Sequence, residues 1–189
     1  MAWEKMNSPN LTDHWVREDR EPLVLDLSDG AINGVKIGDS ISGLSWLGPS
    51  DPVQHRDKCI AYYQQGLTLN EVTGTLTGIF VSVSERERMQ PFRGTWQHRR
   101  TKPQISPNTK RQDIRDLMGT PINEWRDDCE MCLSYENDEH EWDFLWELDG
   151  PLQYVDCQML HSRRQALEKL AGLSPEAEKK SWVRRFFGA

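Results

Sequence analysis

The sequence predicts an α+β protein built of two similar modules, each a short helix followed by a three-stranded antiparallel meander, with C-terminal helices added. Three observations lead there. Several short runs alternate apolar and polar residues with the period of a strand. Gly and Pro punctuate those runs where turns are needed. The order helix, Gly-(x)-Pro, strand, strand, strand also occurs twice. Leu47-Gly48-Pro49 matches Met118-Gly119-Thr120-Pro121, Tyr63 matches Tyr135, Leu76-Thr77-Gly78 matches Leu148-Asp149-Gly150, and Val83 matches Val155, at an offset of 71 or 72. An offset held through a helix end and three strands points to duplication.

Residues 1–20 are polar apart from Trp3, Leu11, Trp15 and Val16, which predicts a loosely ordered segment with one short helix from Thr12. The first module spans 21–84. Leu23, Leu25 and Leu27 alternate with Val24 and Asp26, Asp29-Gly30 supplies a turn, and Ile32 to Ile37 returns, interrupted by Asn33-Gly34. Asp39 and Ser40 suit the cap of a short helix carrying Ile41, Leu44 and Leu47, and Gly48-Pro49 stops it. Cys59 to Gln64, Leu67 to Val72 and Leu76 to Val83 are the meander strands, with Gly66 and Gly74 at the junctions.

Residues 85–104 form a basic linker, broken by Pro91 and Pro103, with one strand near Phe92 to Trp96. The second module spans 105–159. Thr109 to Gln112 has capping-box spacing and opens a helix with Ile114, Leu117 and Met118 on one face. Glu130 to Tyr135, Glu141 to Leu148 and Leu152 to Met159 are its strands. The tail, 160–189, is helical, with Leu160 to Leu170 first and a second helix after Ser174-Pro175. There Trp182, Val183, Phe186 and Phe187 share one face. They read as a packing stripe and leave a homodimer contact open.

Of the 189 residues, 37% are hydrophobic and 28% charged, and the net charge is −7. Such a balance disfavours nucleic acid and anionic membrane as partners and favours a basic protein. No run of about 20 apolar residues exists to span a membrane, and the first residues lack the apolar core of a signal peptide. The expectation is a cytoplasmic protein with Cys59, Cys129, Cys132 and Cys157 as reduced thiols.

The short helix, Leu-Gly-Pro or Met-Gly-Thr-Pro, and three-stranded meander resemble the small sheet modules of outer-membrane assembly lipoproteins and their inhibitor-like relatives, over about residues 36–84 and 105–158. Those lipoproteins carry a secretion signal and a lipidated cysteine; this chain shows neither, so the resemblance implies fold alone. The small, acidic, tryptophan-rich character also resembles immunity proteins encoded beside antibacterial toxins in polymorphic-toxin and type VI secretion systems. That likeness implies a non-enzymatic protein without cofactor or metal, which neutralises a cognate toxin such as a nuclease by covering its positive active-site surface.

The candidate partner-binding residues are the acids of the second module, Asp127, Asp128, Glu130, Glu136, Asp138, Glu139, Glu141, Asp143 and Glu147, together with Trp125. Alternation places Trp142, Phe144, Trp146 and Leu148 on one strand face and Glu141, Asp143, Leu145 and Glu147 on the other. The tryptophans then belong to the core and the acids to a presented surface. The plainer account is a solvated face whose charges pair with the arginines of residues 85–115.

Two rival readings come from other classes. One is an adaptor or chaperone for a secreted effector, which leaves its client active. The other is a hydrolase using paired carboxylates or a metal held by Cys129-x-x-Cys132 with His140 and Cys157. Cys129 and Cys132 would face opposite ways in a strand, and His140 lacks a companion nucleophile pattern, which argues against such chemistry.

Overall fold

A computed structural model describes residues 11–18, 22–52, 59–86 and 88–173. The chain is mostly β, in two sheets. The larger sheet has seven antiparallel strands. It contains β4 (Cys59–Tyr62), β5 (Leu67–Val72), β6 (Thr75–Ser82), β8 (Asn123–Arg126), β9 (Glu130–Glu136), β10 (His140–Glu147) and β11 (Leu152–Met159), in the order β4-β5-β6-β11-β10-β9-β8. The smaller sheet has the order β3-β2-β1-β7, formed by β1 (Val24–Asp26), β2 (Ala31–Ile32), β3 (Val35–Lys36) and β7 (Thr95–Gln97). Among the described residues the helices are short: 3-10 segments at Ile41–Leu47 and Tyr63–Gln65, and the α-helices α1 (Arg111–Met118) and α2 (His161–Leu170). No described helix is long and apolar enough to cross a membrane.

This architecture overturns the α+β expectation of two helix-plus-three-strand modules. The strands do not form separate small sheets: β6 pairs with β11 and fuses them into one. The second half adds an outer strand, β8, beside β9. The segment read as a basic linker sends β7 back to pair in parallel with β1, at Leu25↔Trp96, and so completes a second sheet. The proposed residue equivalences also fail. Leu76-Thr77-Gly78 lies within β6, whereas Leu148-Asp149-Gly150 lies at the β10–β11 turn. Val83 follows β6, while Val155 sits in the middle of β11. Glycine at a turn and glycine inside a strand answer different needs, and a sequence offset does not distinguish them.

Local details follow from the residues. Asn33 and Gly34 both take positive φ, 47° and 81°, which lets β2 and β3 reverse tightly. Helix α1 starts later than the Thr109 spacing implies. The Asp113 carboxylate accepts from the Lys110 backbone N–H at 2.8 Å, while Thr109 Oγ1 accepts from the Ser106 N–H. Residues 11–18 make a turn rather than a helix, closed by Trp15 N–H donating to Thr12 O. The tail stripe Trp182, Val183, Phe186 and Phe187 lies outside the described residues.

One core joins the two sheets. Leu25, Leu27, Ile32 and Trp96 of the smaller sheet region pack with Leu69, Ile79, Val81, Leu133, Phe144 and Val155 of the larger one. Ile41, Leu44 and Leu47 enter from the first 3-10 helix, and Ile114 enters from α1. Trp142, Phe144 and Trp146 line this face at successive alternate positions, their ring centroids 6.5 Å apart at each step. The Trp146 indole N–H donates to Thr109 O at 2.9 Å, tying the approach to α1 onto β10.

The sheets also touch at Gly30 and His140. Gly30, at φ +58°, lies against the imidazole, and a Cβ there would stand 2.8 Å from the ring atoms. The Asn137 Oδ1 accepts from the N–H groups of Glu139 and His140, so its Nδ2 faces His140 Nε2. Nε2 must then accept, which puts the ring proton on Nδ1. Burial lowers the His140 pKa and keeps the ring neutral near pH 7. Gly30→Ala combines a left-handed backbone with a clash, and is expected to cost about 1–3 kcal/mol. Urea denaturation checks this. A stability equal to the wild type would contradict the contact.

Candidate functional site

The second face of the large sheet carries two kinds of residue side by side. A small apolar cluster of Phe80, Tyr154, Leu145 and Cys132 runs across β6, β11, β10 and β9, with Met89 and Trp125 packed against it. Beside it lies an acidic row. Glu141 stands opposite Glu136 on β9 and Gln158 on β11, and Asp143 stands opposite Ser134 on β9 and Asp156 on β11. Further along β10, Glu147 stands opposite Glu130. Alternation on an antiparallel ladder brings these carboxylates to one face because each occupies a position of the same parity.

Electrostatics sets the row apart from ordinary surface acids. Asp156 is only 4% exposed. Burial, followed by the nearby Asp143 and Glu141 charges, raises its pKa to about 8, although Gln158 Nε2 donates to it at 2.7 Å. Burial also raises Asp143, with hydrogen bonds from Ser134 and Cys132 opposing the shift. Glu141 is raised by burial first and then by Asp143 and Glu136. Among the described residues Glu136, Glu141, Asp143 and Asp156 form no ion pair. Like charges this close to one another favour a cation from outside or a proton.

The candidate residues read from sequence fall into separate groups. Glu136, Glu141 and Asp143 belong to the row, and Glu130 and Glu147 lie farther along the same face. Trp125 sits half-buried on β8, opposite Cys132. Asp127 serves the β8–β9 turn, its Oδ1 accepting from the N–H groups of Cys129 and Glu130. Asp128 is exposed beside it. Asp138 and Glu139 are exposed in the β9–β10 turn, at the far end of β9. Over the span of β9 the two turns are about 20 Å apart. They do not make one patch.

Pairing with the chain's own arginines is partial. Arg163 approaches Glu139 at 3.9 Å, Arg126 approaches Asp149 at 3.9 Å, and Arg115 pairs with Glu124. The cysteines do not converge: Cys129 is exposed in a turn, Cys132 is buried on the second face, and Cys157 is in the main core, as is Trp142 opposite it.

Sequence reasoning missed Asp156, Asn70 and Gln158. A lone carboxylate between Val155 and Cys157, in a strand buried on both faces, was the available signal. A separate groove of about 960 Å³ lies between the start of α1 and the β10–β11 turn. It mixes Lys110, Arg111 and Arg115 with Glu147 and Asp149, and so has no single charge preference.

The raised pKa of Asp156 makes a stability prediction. Folded Asp156 holds its proton up to about pH 8, while the unfolded chain releases it near the ordinary aspartate value of 3.8. Stability is therefore full below the unfolded value and falls as pH rises toward 8, with a slope of up to about 1.4 kcal/mol per pH unit for one proton. Asp156→Asn is expected to flatten that fall. Urea denaturation of both proteins between about pH 6.5 and 8 isolates the effect, because the histidines contribute alike to the wild type and the variant. An unchanged slope would show that Asp156 is ionised in the folded protein.

No family model matches the sequence, and no curated protein matches it. Among solved structures, the chain is similar to a DUF4309 family protein (YjgB) from Bacillus subtilis. The identity is 13%, the match covers 67% of this chain and 83% of that one, and the TM-score is 0.47.

Proposed function

We propose that the chain is a non-enzymatic binding protein that holds a cationic protein partner on the acidic face of its seven-stranded sheet. The observation that carries this reading is the row Glu136, Glu141, Asp143 and Asp156, which lacks an ion pair among the described residues. A cationic partner relieves the repulsion within that row and contributes the countercharge. Glu130 and Glu147 extend the negative surface along the strands, and half-buried Trp125 gives an aromatic anchor beside the apolar cluster.

The partner class we propose is an antibacterial toxin with a positive active-site surface, such as a nuclease, bound in the cytosol by an immunity protein. Neutralisation works by occlusion: carboxylates take the place that substrate phosphates would occupy, and the binding protein makes and breaks no bond. Electrostatic attraction accelerates capture, which matters for an inhibitor that must arrive before damage is done. An adaptor would bind the same kind of partner but leave it active, so inhibition separates the two roles.

The test is protection of growth and inhibition in vitro against the product of the adjacent reading frame. Glu136→Lys, Glu141→Lys and Asp143→Lys together are expected to weaken binding by at least about a hundredfold and abolish protection. Reversing Asp127 and Asp128, at the distant turn, is expected to change affinity by less than about tenfold. Equal affinity for the triple variant and the wild type would place the interface elsewhere.

A further inference from the structure

The two edges of the larger sheet differ. At β4 the edge is engaged: Asp51 N–H donates to Ala61 O at 2.8 Å, and Asp51 Oδ2 accepts from Tyr63 N–H at 2.6 Å. At β8 no described strand lies on the outer side. The ladder shows which groups that edge presents. Asp127 N–H donates to Glu130 O, so position 127 faces β9. Bonded positions alternate on an antiparallel ladder. Asn123 and Trp125 therefore also face β9, and the N–H and C=O of Glu124 and Arg126 point outward. The far side of β9 agrees. Asn137 N–H donates to His140 O, which turns Leu133 and Tyr135 toward β10 and leaves Cys132 and Ser134 to β8. A free edge of this kind is a template for another strand.

We propose that β8 pairs antiparallel with β8 of a second copy of this chain, about a two-fold axis at Trp125, so that two seven-stranded sheets join edge to edge. The inference goes beyond the cationic-partner reading and does not rest on it. The strand is self-complementary. Glu124 precedes Trp125 and Arg126 follows it, so reversal of the second copy sets Glu124 opposite Arg126 and Arg126 opposite Glu124. Their side chains are 42% and 56% exposed, although they approach Arg115 and Asp149 of their own chain. Each opposed pair exchanges both backbone hydrogen bonds, and the symmetry makes the pair occur twice. Trp125 meets Trp125 of the second copy at the position between, where no backbone bond forms and side chains come closest. Its ring is half-buried against the apolar cluster, so part of it is free to make this contact. Aromatic pairs across strands are stabilising.

Charge also selects the register. Bonded pairing needs outward positions opposite one another, so the nearest alternatives slide one copy by two residues. One of them sets Glu124 against Glu124, and the other sets Arg126 against Arg126. Only the register centred on Trp125 brings opposite charges together at both outward positions. Because that axis is perpendicular to the sheet, the two copies turn their acidic rows to the same side. The interface is short, so the association is weak and depends on concentration.

The experiment is sedimentation of the full chain between about 5 and 500 µM, where the mean mass is expected to climb from one chain toward two. Glu124→Arg and Arg126→Glu are each expected to weaken self-association by about tenfold or more, because each sets like charges opposite one another. An equimolar mixture of these two variants restores opposite charges in every pair and is expected to associate at wild-type strength. The chain carrying both exchanges is expected to pair with itself but not with the wild type, where like charges would meet. That arm decides the matter if a single variant does not fold. A wild type that stays monomeric throughout, single variants that associate as the wild type does, a mixture no tighter than its components, or free mixing of the double exchange with the wild type would overturn the pairing. Capture of a cationic partner by Glu136, Glu141 and Asp143 is tested separately and stands or falls without it.

Discussion

The pairing of β6 with β11 is the constraint on which the larger sheet depends. It runs Gly78↔Gln158, Ile79↔Cys157, Phe80↔Asp156, Val81↔Val155 and Ser82↔Tyr154. Ile79, Val81, Val155 and Cys157 point into the main core with no measurable exposure, so the seam is held by apolar packing as well as backbone hydrogen bonds. A shift of β11 by one residue against β6 would turn Asp156 into that core and move Val155 out. The register is thus set by the cost of the alternative. Every cross-strand neighbour on the second face, including the acidic row, inherits its position from this seam.

A sheet packed on one face usually leaves the other to water. Here the second face is divided. Phe80, Tyr154, Leu145 and Cys132 form an apolar half that is itself buried, and Asp156, Asp143 and Glu141 gather in the half beside it. The apolar neighbours deprive the carboxylates of solvent, and the resulting pKa shifts are dominated by burial rather than by mutual repulsion. A carboxylate held this way is poised between a proton and a cation. The same low-dielectric surroundings that make an unpaired carboxylate unfavourable strengthen its interaction with any cation that reaches it.

The smaller sheet contributes packing rather than chemistry. β7 returns from a segment dense in arginine and proline and lies along β1, where Trp96 is buried beside Leu25. Its charged neighbours Arg93, Arg99 and Arg100 remain exposed.

Strand positions in the second half were legible because local alternation carries them. Trp142, Phe144 and Trp146 point to the core, and Glu141, Asp143 and Glu147 to the opposite face, as period two requires. The architecture was not legible. A strand sequence states which residues share a face but not which strand lies alongside, so the β6–β11 seam, the outer strand β8 and the parallel return of β7 were open to other solutions. The repeat read from Gly78 and Gly150 failed for the same reason: one glycine makes room inside a strand for the Asn70 and Gln158 amides and the other sits at a turn. By itself the sequence determined an acidic chain rich in short strands, with carboxylates on one parity of β10. Only the tertiary structure decided that Asp156, Gln158, Gly78 and Asn70, from three strands, would meet beside them, because side chains distant in sequence become neighbours through hydrogen-bond register and packing, neither of which is a local property of the chain.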